Sequence, residues 1–290
     1  LKIVMSEVTL IECPRDAMQW LKAIIPTQKK INYMKSLLAV GFDTLDCGSF
    51  VSPKAIPQMA DTAAVIEALE TEKKNTKLLV IVANLRGAQM ACSYPSIDVL
   101  GYPFSISENF QMRNTGKSID ESLTLLEEII SLSEKNQKEL VVYLSMGFGN
   151  PYGDPWSPDI ISQWIERLTE IGVNNLSLSD TIGCAMPSDI HALFSSLIPV
   201  FDKTRFGAHF HTTAATATEK IQAAFQGGCR RFDGAIQGFG GCPMAQNDLV
   251  GNMPTEKLIS YFESKKVSHN LNVLHFESAY NNASDIFRWV

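Results

Sequence analysis

The spacing of hydrophobic residues along the chain alternates between two patterns. Short apolar runs are typical of strands, and a spacing of three to four residues is typical of amphipathic helices. Eight runs have strand character, at residues 2–10, 44–47, 77–83, 97–104, 139–145, 175–178, 205–211 and 231–235. Strands that alternate with helices favour a parallel sheet covered by helices. Since eight strands are the number that closes such a sheet, we predict a (β/α)8 TIM barrel.

Two helices between these strands carry start signals. Ser118 is followed three residues later by Glu121, a capping box ahead of the amphipathic stretch 119–135. Ser157 and Pro158 predict the start of a second helix that extends to about residue 171. Beyond the last barrel helix the pattern turns polar and then helical again. We therefore expect a catalytic barrel domain at 1–265 and a C-terminal tail or appended helix at 266–290.

Composition narrows the classes of function. The 290 residues are 45% hydrophobic and 19% charged, with a net charge of −6, as in ordinary globular proteins. Basic residues cluster only in short pairs, so nucleic acid is not an expected partner. No apolar run approaches the ~18–20 residues of a membrane span, and residues 1–5 do not have the architecture of a signal peptide. We expect no membrane association and a cytoplasmic location. The six cysteines are scattered without Cys-x-x-Cys spacing and are expected to be reduced thiols.

A pair of histidines, His209 and His211, marks the end of the seventh predicted strand. Side chains two residues apart on a strand point to the same face. The carboxyl ends of barrel strands are where such enzymes carry their chemistry. A metal site and a polar strand end satisfied by hydrogen bonds are equally consistent with the pair alone.

Further polar residues fall near the carboxyl ends of other predicted strands, which would bring them to the same end of a barrel. They are Arg15, Asp16, Asp46, Tyr143, Ser145 and Asp180. Each also has a structural interpretation, since Arg15 and Asp16 could form a solvated turn and Asp180 could cap a helix. Their shared position favours function, because a carboxylate with two imidazoles is a credible site for a divalent cation.

A glycine-rich segment, Gly238-Phe239-Gly240-Gly241-Cys242-Pro243, follows the eighth predicted strand. Its glycines would let the backbone place Cys242 over the site, although a buried thiol in a turn fits the segment equally well. The spacing does not match a dinucleotide-binding fingerprint.

Several of these segments together resemble one family in sequence and in order. They are Pro14-Arg15-Asp16-Ala17-Met18-Gln19, Ser49-Phe50-Val51-Ser52-Pro53-Lys54, Pro57-Gln58-Met59, Ser179-Asp180-Thr181-Ile182-Gly183, His209-Phe210-His211, the glycine-rich segment, and Gly251-Asn252. The chain is similar to the 3-hydroxy-3-methylglutaryl-CoA lyases over about residues 3–262. The Ser-Phe-Val-Ser-Pro-Lys and Gly-Gly-Cys-Pro segments are the most specific, because they distinguish these lyases from related barrel synthases.

The resemblance implies a metal-dependent TIM barrel that cleaves 3-hydroxy-3-methylglutaryl-CoA to acetyl-CoA and acetoacetate. By position, the metal ligands are Asp16, His209, His211 and Asn252, a donor set suited to Mg²⁺ or Mn²⁺.

The resemblance also implies roles for individual side chains. Arg15 would stabilise the enolate oxygen, Asp16 or His209 would take the hydroxyl proton, and Cys242 would protonate the carbanion. The positions that match supporting residues are Asp46, Tyr143, Asp180 and Glu256, and the candidates for binding substrate are Gln19, Ser49 and Lys54.

The sequence departs from the family at four motif positions: Ala17 replaces a glycine, Asp46 a glutamate, Asn150 a cysteine and Thr212 an aspartate. The ligand positions are unchanged, so metal binding is expected more firmly than the identity of the substrate. Two other interpretations stay open. One is a related lyase or synthase acting on another hydroxy acid or its CoA ester, and the other is a catalytically weakened barrel that serves as a binding protein. A homo-oligomer is also left open.

Overall fold

Eight parallel strands close into a ring in the computed structural model, which describes residues 7–19, 21–241 and 250–287. The strands are β1 Thr9–Glu12, β2 Thr44–Ser49, β3 Lys77–Ile81, β4 Ile97–Ser105, β5 Glu139–Ser145, β6 Asn175–Asp180, β7 Arg205–Thr212 and β8 Arg231–Gly234. Strands that are neighbours in sequence pair in parallel, and β1 pairs with β8, which closes the ring. The predicted (β/α)8 barrel is confirmed.

Helices cover the outside of this ring. They are α1 Pro14–Met18, α2 Thr27–Val40, α3 Thr62–Leu69, α4 Leu85–Cys92, α5 Glu108–Thr115, α6 Ile119–Lys135, α7 Pro158–Glu170, α8 Pro187–Val200, α9 Ala217–Gln226, α10 Thr255–Ser264 and α11 Val273–Phe287. Short 3₁₀ turns occupy Pro57–Met59 and Ile236–Gly238. Among the described helices, none is both long and apolar enough to cross a membrane.

Local signals set the two predicted helix starts as expected. The Ser118 hydroxyl accepts from the Glu121 backbone N–H at 3.1 Å, and the Glu121 carboxylate accepts from the Ser118 backbone N–H at 2.8 Å. This reciprocal pair is the predicted capping box at the start of α6. Ser157 caps α7, which begins at Pro158.

Most observed strands differ from the predicted bounds by one or two residues, and only β5 matches them exactly. Strands β1 and β6 extend beyond their predicted ends to a buried acidic residue. Of the predicted first strand, residues 2–6 lie outside the described residues, and the observed β1 continues past Leu10 to Glu12. Glu12 is completely buried, and its two side-chain oxygens accept hydrogen bonds from the Ile236 N–H at 2.8 Å and the Thr255 hydroxyl at 2.6 Å. In β6 the strand extends to Asp180, which is also buried.

Alternation along β7 determines which side chains reach the inside of the barrel. Phe210 packs between the sheet and the helices, with ring centroids 5.6 Å from Phe148 and 6.4 Å from Phe194. His209 and His211 therefore lie on the opposite, inner face. A short strand, β9 (Gly251–Asn252), pairs antiparallel with β7 and places Asn252 opposite His211.

The C-terminal helix α11 packs along α2 and buries Phe276, Ala279, Ala283, Ile286 and Phe287. The Phe287 ring meets the Tyr33 ring edge-on at 6.1 Å. The division between a barrel domain and a tail at residue 265 stays a prediction.

Candidate active site

The first part of the site is α1, the single turn that follows β1. Pro14 stands at its first position, where the missing N–H costs nothing and the fixed φ favours helix. This turn brings Arg15 and Asp16 to the carboxyl end of the barrel, and both are more than nine-tenths buried. Charged groups this deeply buried need partners, and the partners come from β2 and β7.

Each histidine of β7 is oriented by a hydrogen bond at Nδ1. His211 Nδ1 lies 2.6 Å from the Thr181 carbonyl oxygen, and because a carbonyl only accepts, that nitrogen carries the proton. His209 Nδ1 lies 3.1 Å from Asp233 Oδ2. Both Nε2 atoms are thereby available as donors of a lone pair. Histidines that bind a metal through one ring nitrogen typically bind a carbonyl or a carboxylate through the other, as these two do.

Asp16 completes a group that could hold a cation. Its Oδ2 lies 3.8 Å from His211 Nε2, and both atoms are buried without a hydrogen-bond partner among the described residues. Ligand atoms of Asp16, His209 and His211 all lie within 4.8 Å of one another. Burial raises the pKa of Asp16, but the Arg15 guanidinium and the two histidines outweigh burial and hold it below its ordinary value. The carboxylate is therefore ionised, as a ligand must be.

Asn252 is placed beside this group by the pairing of β9 with β7. Its side-chain nitrogen donates to the Phe239 carbonyl at 2.8 Å. The carboxamide oxygen is consequently the atom that Asn252 can offer to a cation. Two imidazoles and two oxygen donors fit a divalent cation such as Mg²⁺ or Mn²⁺.

Arg15 is held by a network of carboxylate and amide groups. Its Nε and Nη2 bind Asp46 Oδ2 at 3.0 and 2.6 Å, and its Nη1 donates to Asp16 at 3.0 Å and to Gln19 at 2.9 Å. Gln19 in turn donates to Asp16 at 2.7 Å. The aspartate at position 46 thus reaches the guanidinium with a two-point contact despite being one methylene shorter than glutamate.

The remaining sequence-derived candidates lie at different distances from this cluster. Tyr143 on β5 is buried, and its ring centroid is 5.3 Å from that of His209. Ser49 is buried at the end of β2, and its hydroxyl has no hydrogen-bond partner among the described residues. Lys54 lies exposed on the loop after β2, and Cys242 lies outside the described residues.

Asp180 and Glu256 do not join the cluster but bind the segments that carry it. Asp180 forms an ion pair with Lys220 at 2.5 Å and accepts from the Ala185 N–H at 3.1 Å. Glu256, in the first turn of α10, accepts from the Gln237 N–H at 3.0 Å. Both act on loop backbone next to the site.

Two buried groups with roles at the site were missed from the sequence. Asp233 orients His209, and Lys220 donates to Asp180 and, at 3.1 Å, to the His211 carbonyl. Alternation in β8 offered a signal for Asp233, because Arg231 and Asp233 flank Phe232 and so share the inner face. Lys220 gave no signal, since it stands in an ordinary amphipathic helix.

A second metal-like group, Cys13, His209 and Asp233, shares His209 with the first. Burial and the charges of Asp233 and Asp46 raise the pKa of the Cys13 thiol well above its ordinary value. A neutral thiol is a poor ligand, so the group with Asp16 and His211 is the better cation site.

Three of the four residues that depart from the family pattern, Thr212, Asn150 and Ala17, have different neighbours in the structure. Thr212 stands on the outer face of β7, and its hydroxyl donates to the Thr213 carbonyl at 3.0 Å. Asn150 braces its own loop by donating to the Asp154 carbonyl at 2.9 Å. Ala17 is buried against the glycine-rich segment, with its Cα 2.7 Å from the position a Cβ on Gly240 would take.

A closed barrel with a carboxylate, two imidazoles and a guanidinium gathered at its carboxyl end defines an enzyme of the (β/α)8 class. Residues 2–282 match the HMGL-like family, and the chain belongs to this family. The predicted resemblance is thus confirmed, and the chain is an oxo-acid lyase of the 3-hydroxy-3-methylglutaryl-CoA lyase type.

Relatives and solved structures agree with this assignment. The hydroxymethylglutaryl-CoA lyase YngG of Bacillus subtilis is 33% identical over 94% of this chain and 91% of its own length. The crystal structure of the HMG-CoA lyase from Brucella melitensis matches with a TM-score of 0.91 and 27% identity, over 98% of this chain and 99% of that one. An HMG-CoA lyase from Acinetobacter baumannii, in complex with coenzyme A and 3-methylmalate, matches with a TM-score of 0.89 and 27% identity over 97% of this chain and 91% of that one.

Proposed function

We propose that this protein cleaves 3-hydroxy-3-methylglutaryl-CoA to acetyl-CoA and acetoacetate with a divalent cation at the cluster of Asp16 and the two histidines. The observation that carries the proposal is the buried pair of Asp16 Oδ2 and His211 Nε2, 3.8 Å apart, neither of which has a hydrogen-bond partner in the part of the chain that the structure describes. Leaving such atoms without partners is costly unless a further group binds both. The names of the relatives and the coenzyme A bound to the Acinetobacter baumannii enzyme support an acyl-CoA substrate.

The proposed ligands are Asp16, His209, His211 and Asn252, and Mg²⁺ or Mn²⁺ are the fitting ions. A bound cation would supply Lewis-acid polarisation of substrate oxygens. The protein contributes the orientation of its ligands, because Thr181, Asp233 and Phe239 each bind one of them on the side away from the cluster.

Removal of the tertiary hydroxyl proton needs a base, and His209 and Asp16 are the candidates. The low pKa of Asp16 makes it a weak proton acceptor. Burial lowers the pKa of His209, but the hydrogen bond and charge of Asp233 outweigh burial and raise it above its ordinary value. Asp233 would therefore stabilise a protonated His209. A single Nε2 lone pair serves either a proton or a cation, so these two roles of His209 exclude each other at any one moment.

Cleavage leaves the electron pair of the broken carbon–carbon bond on the acetyl-CoA fragment, as an enolate. Arg15 is placed to stabilise this charge. Its contacts with described residues engage Nε, both protons of Nη1 and one of Nη2. Since a guanidinium has five N–H groups, one on Nη2 is left for a substrate oxygen.

The last step is protonation of the enolate carbon, which we assign to Cys242 from the resemblance to the family. Gln19, Ser49 and Lys54 are proposed to bind substrate, and Asp46, Tyr143, Asp180 and Glu256 to support the site. The Gln19 side chain hydrogen-bonds both Arg15 and Asp16. A substrate that contacts Gln19 would therefore affect the positions of both charged side chains. A cytoplasmic location stays a prediction, and assembly into a homo-oligomer stays open.

The test is a panel of hydroxyacyl-CoA thioesters and free hydroxy acids, assayed with metal-depleted protein before and after addition of Mg²⁺ or Mn²⁺. We expect acetoacetate and acetyl-CoA from 3-hydroxy-3-methylglutaryl-CoA only after the cation is added. Faster cleavage of another thioester or acid would reassign the substrate. Metal binding without turnover of any member of the panel would favour the binding-protein interpretation.

A further inference from the structure

The C-terminal helix α11 contacts the glycine-rich segment beside the site rather than packing only on α2. Gln237 donates from its side chain to the Tyr280 carbonyl at 3.0 Å and to the Ser284 hydroxyl at 3.3 Å, both on α11. The ring of Phe239 stacks on that of Phe287 with centroids 4.2 Å apart and planes 17° from parallel. Residues 237 and 239 are thus both attached to one helix.

The backbone at Gln237 needs such attachment. Its φ is 61°, a left-handed conformation that non-glycine residues seldom adopt without support from their surroundings. The Glu256 carboxylate binds the Gln237 N–H, and α11 binds the side chain. Helices α10 and α11 therefore hold this turn from two sides.

The same segment lies directly against two of the proposed metal ligands. The Phe239 carbonyl accepts from the Asn252 side chain at 2.8 Å. A Cβ placed on Gly240 would come within 2.7 Å of the Asp16 carbonyl oxygen and 2.8 Å of Asn252 Nδ2. The backbone of residues 239 and 240 consequently fills the space between α1 and β9, and its position sets the direction of the Asn252 amide.

We infer that α11 is part of the catalytic apparatus: through Gln237 and Phe239 it fixes the carbonyl that orients Asn252 toward the cation site. Gln237, Phe239 and Phe287 are positioning residues in this scheme, since they act through Asn252. The inference rests on the proposed function in so far as Asn252 binds the cation.

The test compares Gln237→Leu and Phe287→Leu with wild type in direct Mn²⁺ binding. The first removes the side-chain donors to α11, and the second removes the stacked ring. We expect each to lower Mn²⁺ affinity by roughly tenfold, the lower end of the loss that follows removal of outer-shell contacts to a metal ligand. Phe276→Leu is the matched control, because Phe276 is also a buried ring of α11 but packs against Tyr280 instead of Phe239. It should leave affinity unchanged.

Amide hydrogen exchange of residues 250–253 in the metal-free protein gives a second readout, and it should be faster in the two test variants. Unchanged affinity and exchange in folded Gln237→Leu and Phe287→Leu proteins would overturn the inference, as would an equal loss in Phe276→Leu. Wild type that binds no Mn²⁺ would instead defeat the proposed function, while the exchange rates would still report whether α11 orders the Asn252 strand.

Discussion

His209 is the residue on which the proposed chemistry depends most, because it offers a ring nitrogen to the group with Asp16 and His211 while its Nδ1 is bound to Asp233. We expect His209→Ala to lose Mn²⁺ binding in a titration of metal-depleted protein, because a ligand disappears from a small set. Retained affinity together with lost turnover would assign His209 to proton transfer instead. Full activity would remove it from the site.

Asp233 is predicted to matter through His209. Asp233→Asn keeps the size of the side chain but removes the charge that supports the imidazole, so Mn²⁺ affinity should fall by about 10–100-fold. Asp43→Asn makes the same change in charge next to β2 at the opposite end of the barrel and should have no effect. Equal affinities in the two variants would show that Asp233 does not act on the site.

Cys242 is predicted to be the general acid from the resemblance alone. Cys242→Ala should lower turnover by roughly tenfold or more, the scale of a lost general acid, with Mn²⁺ affinity unchanged. Steady-state assays and metal titration on the same preparation measure both quantities. Turnover equal to that of wild type would exclude the thiol from the reaction.

At the level of elements, an interior ion pair links α9 to the ends of β6 and β7. Lys220 and Asp180 have side chains 2% and 0% exposed, and Lys220 also donates to the His211 carbonyl. Lys220→Met would leave a buried carboxylate without its cation, so the free energy of unfolding should drop by about 3–5 kcal/mol. Denaturant unfolding followed by circular dichroism measures this change.

The double variant Lys220→Met/Asp180→Asn separates the charge from the packing. Because it removes both ionised groups, it should recover a large part of the lost stability. A double variant as unstable as the sum of the two single changes would show that the two groups stabilise the fold independently. Mn²⁺ affinity measured alongside would report how strongly this pair supports the His211 backbone.

The predictions from sequence were accurate where the stabilising partners are close together in sequence, and they failed where the partners are far apart. The bounds of α6 were predicted to the residue because Ser118 and Glu121 lie within one turn and satisfy each other. The end of β1 was misplaced because Glu12 is stabilised by Ile236 and Thr255, more than 200 residues away in sequence. Asp233 and Lys220 were missed for the same reason, since their roles arise only when the barrel closes. Periodicity and local caps predict elements, whereas buried polar partners require the fold.

Closure of the whole barrel buries Glu12, at the end of β1, against Ile236 and Thr255 near the C-terminal end of the barrel. We expect this burial to make the free energy of unfolding depend on pH. Burial raises the pKa of Glu12 to about 8, against the opposing hydrogen bonds from Thr255 and Ile236. Between pH 4.5, its ordinary pKa, and about 8 the folded state therefore holds a proton that the unfolded chain has released. Stability from this group is complete below that range and declines as pH rises, by at most about 1.4 kcal/mol per pH unit. Glu12→Gln should flatten the decline in metal-free protein unfolded by denaturant at pH 5 and pH 8. Identical slopes in the variant and wild type would show that Glu12 keeps an ordinary pKa.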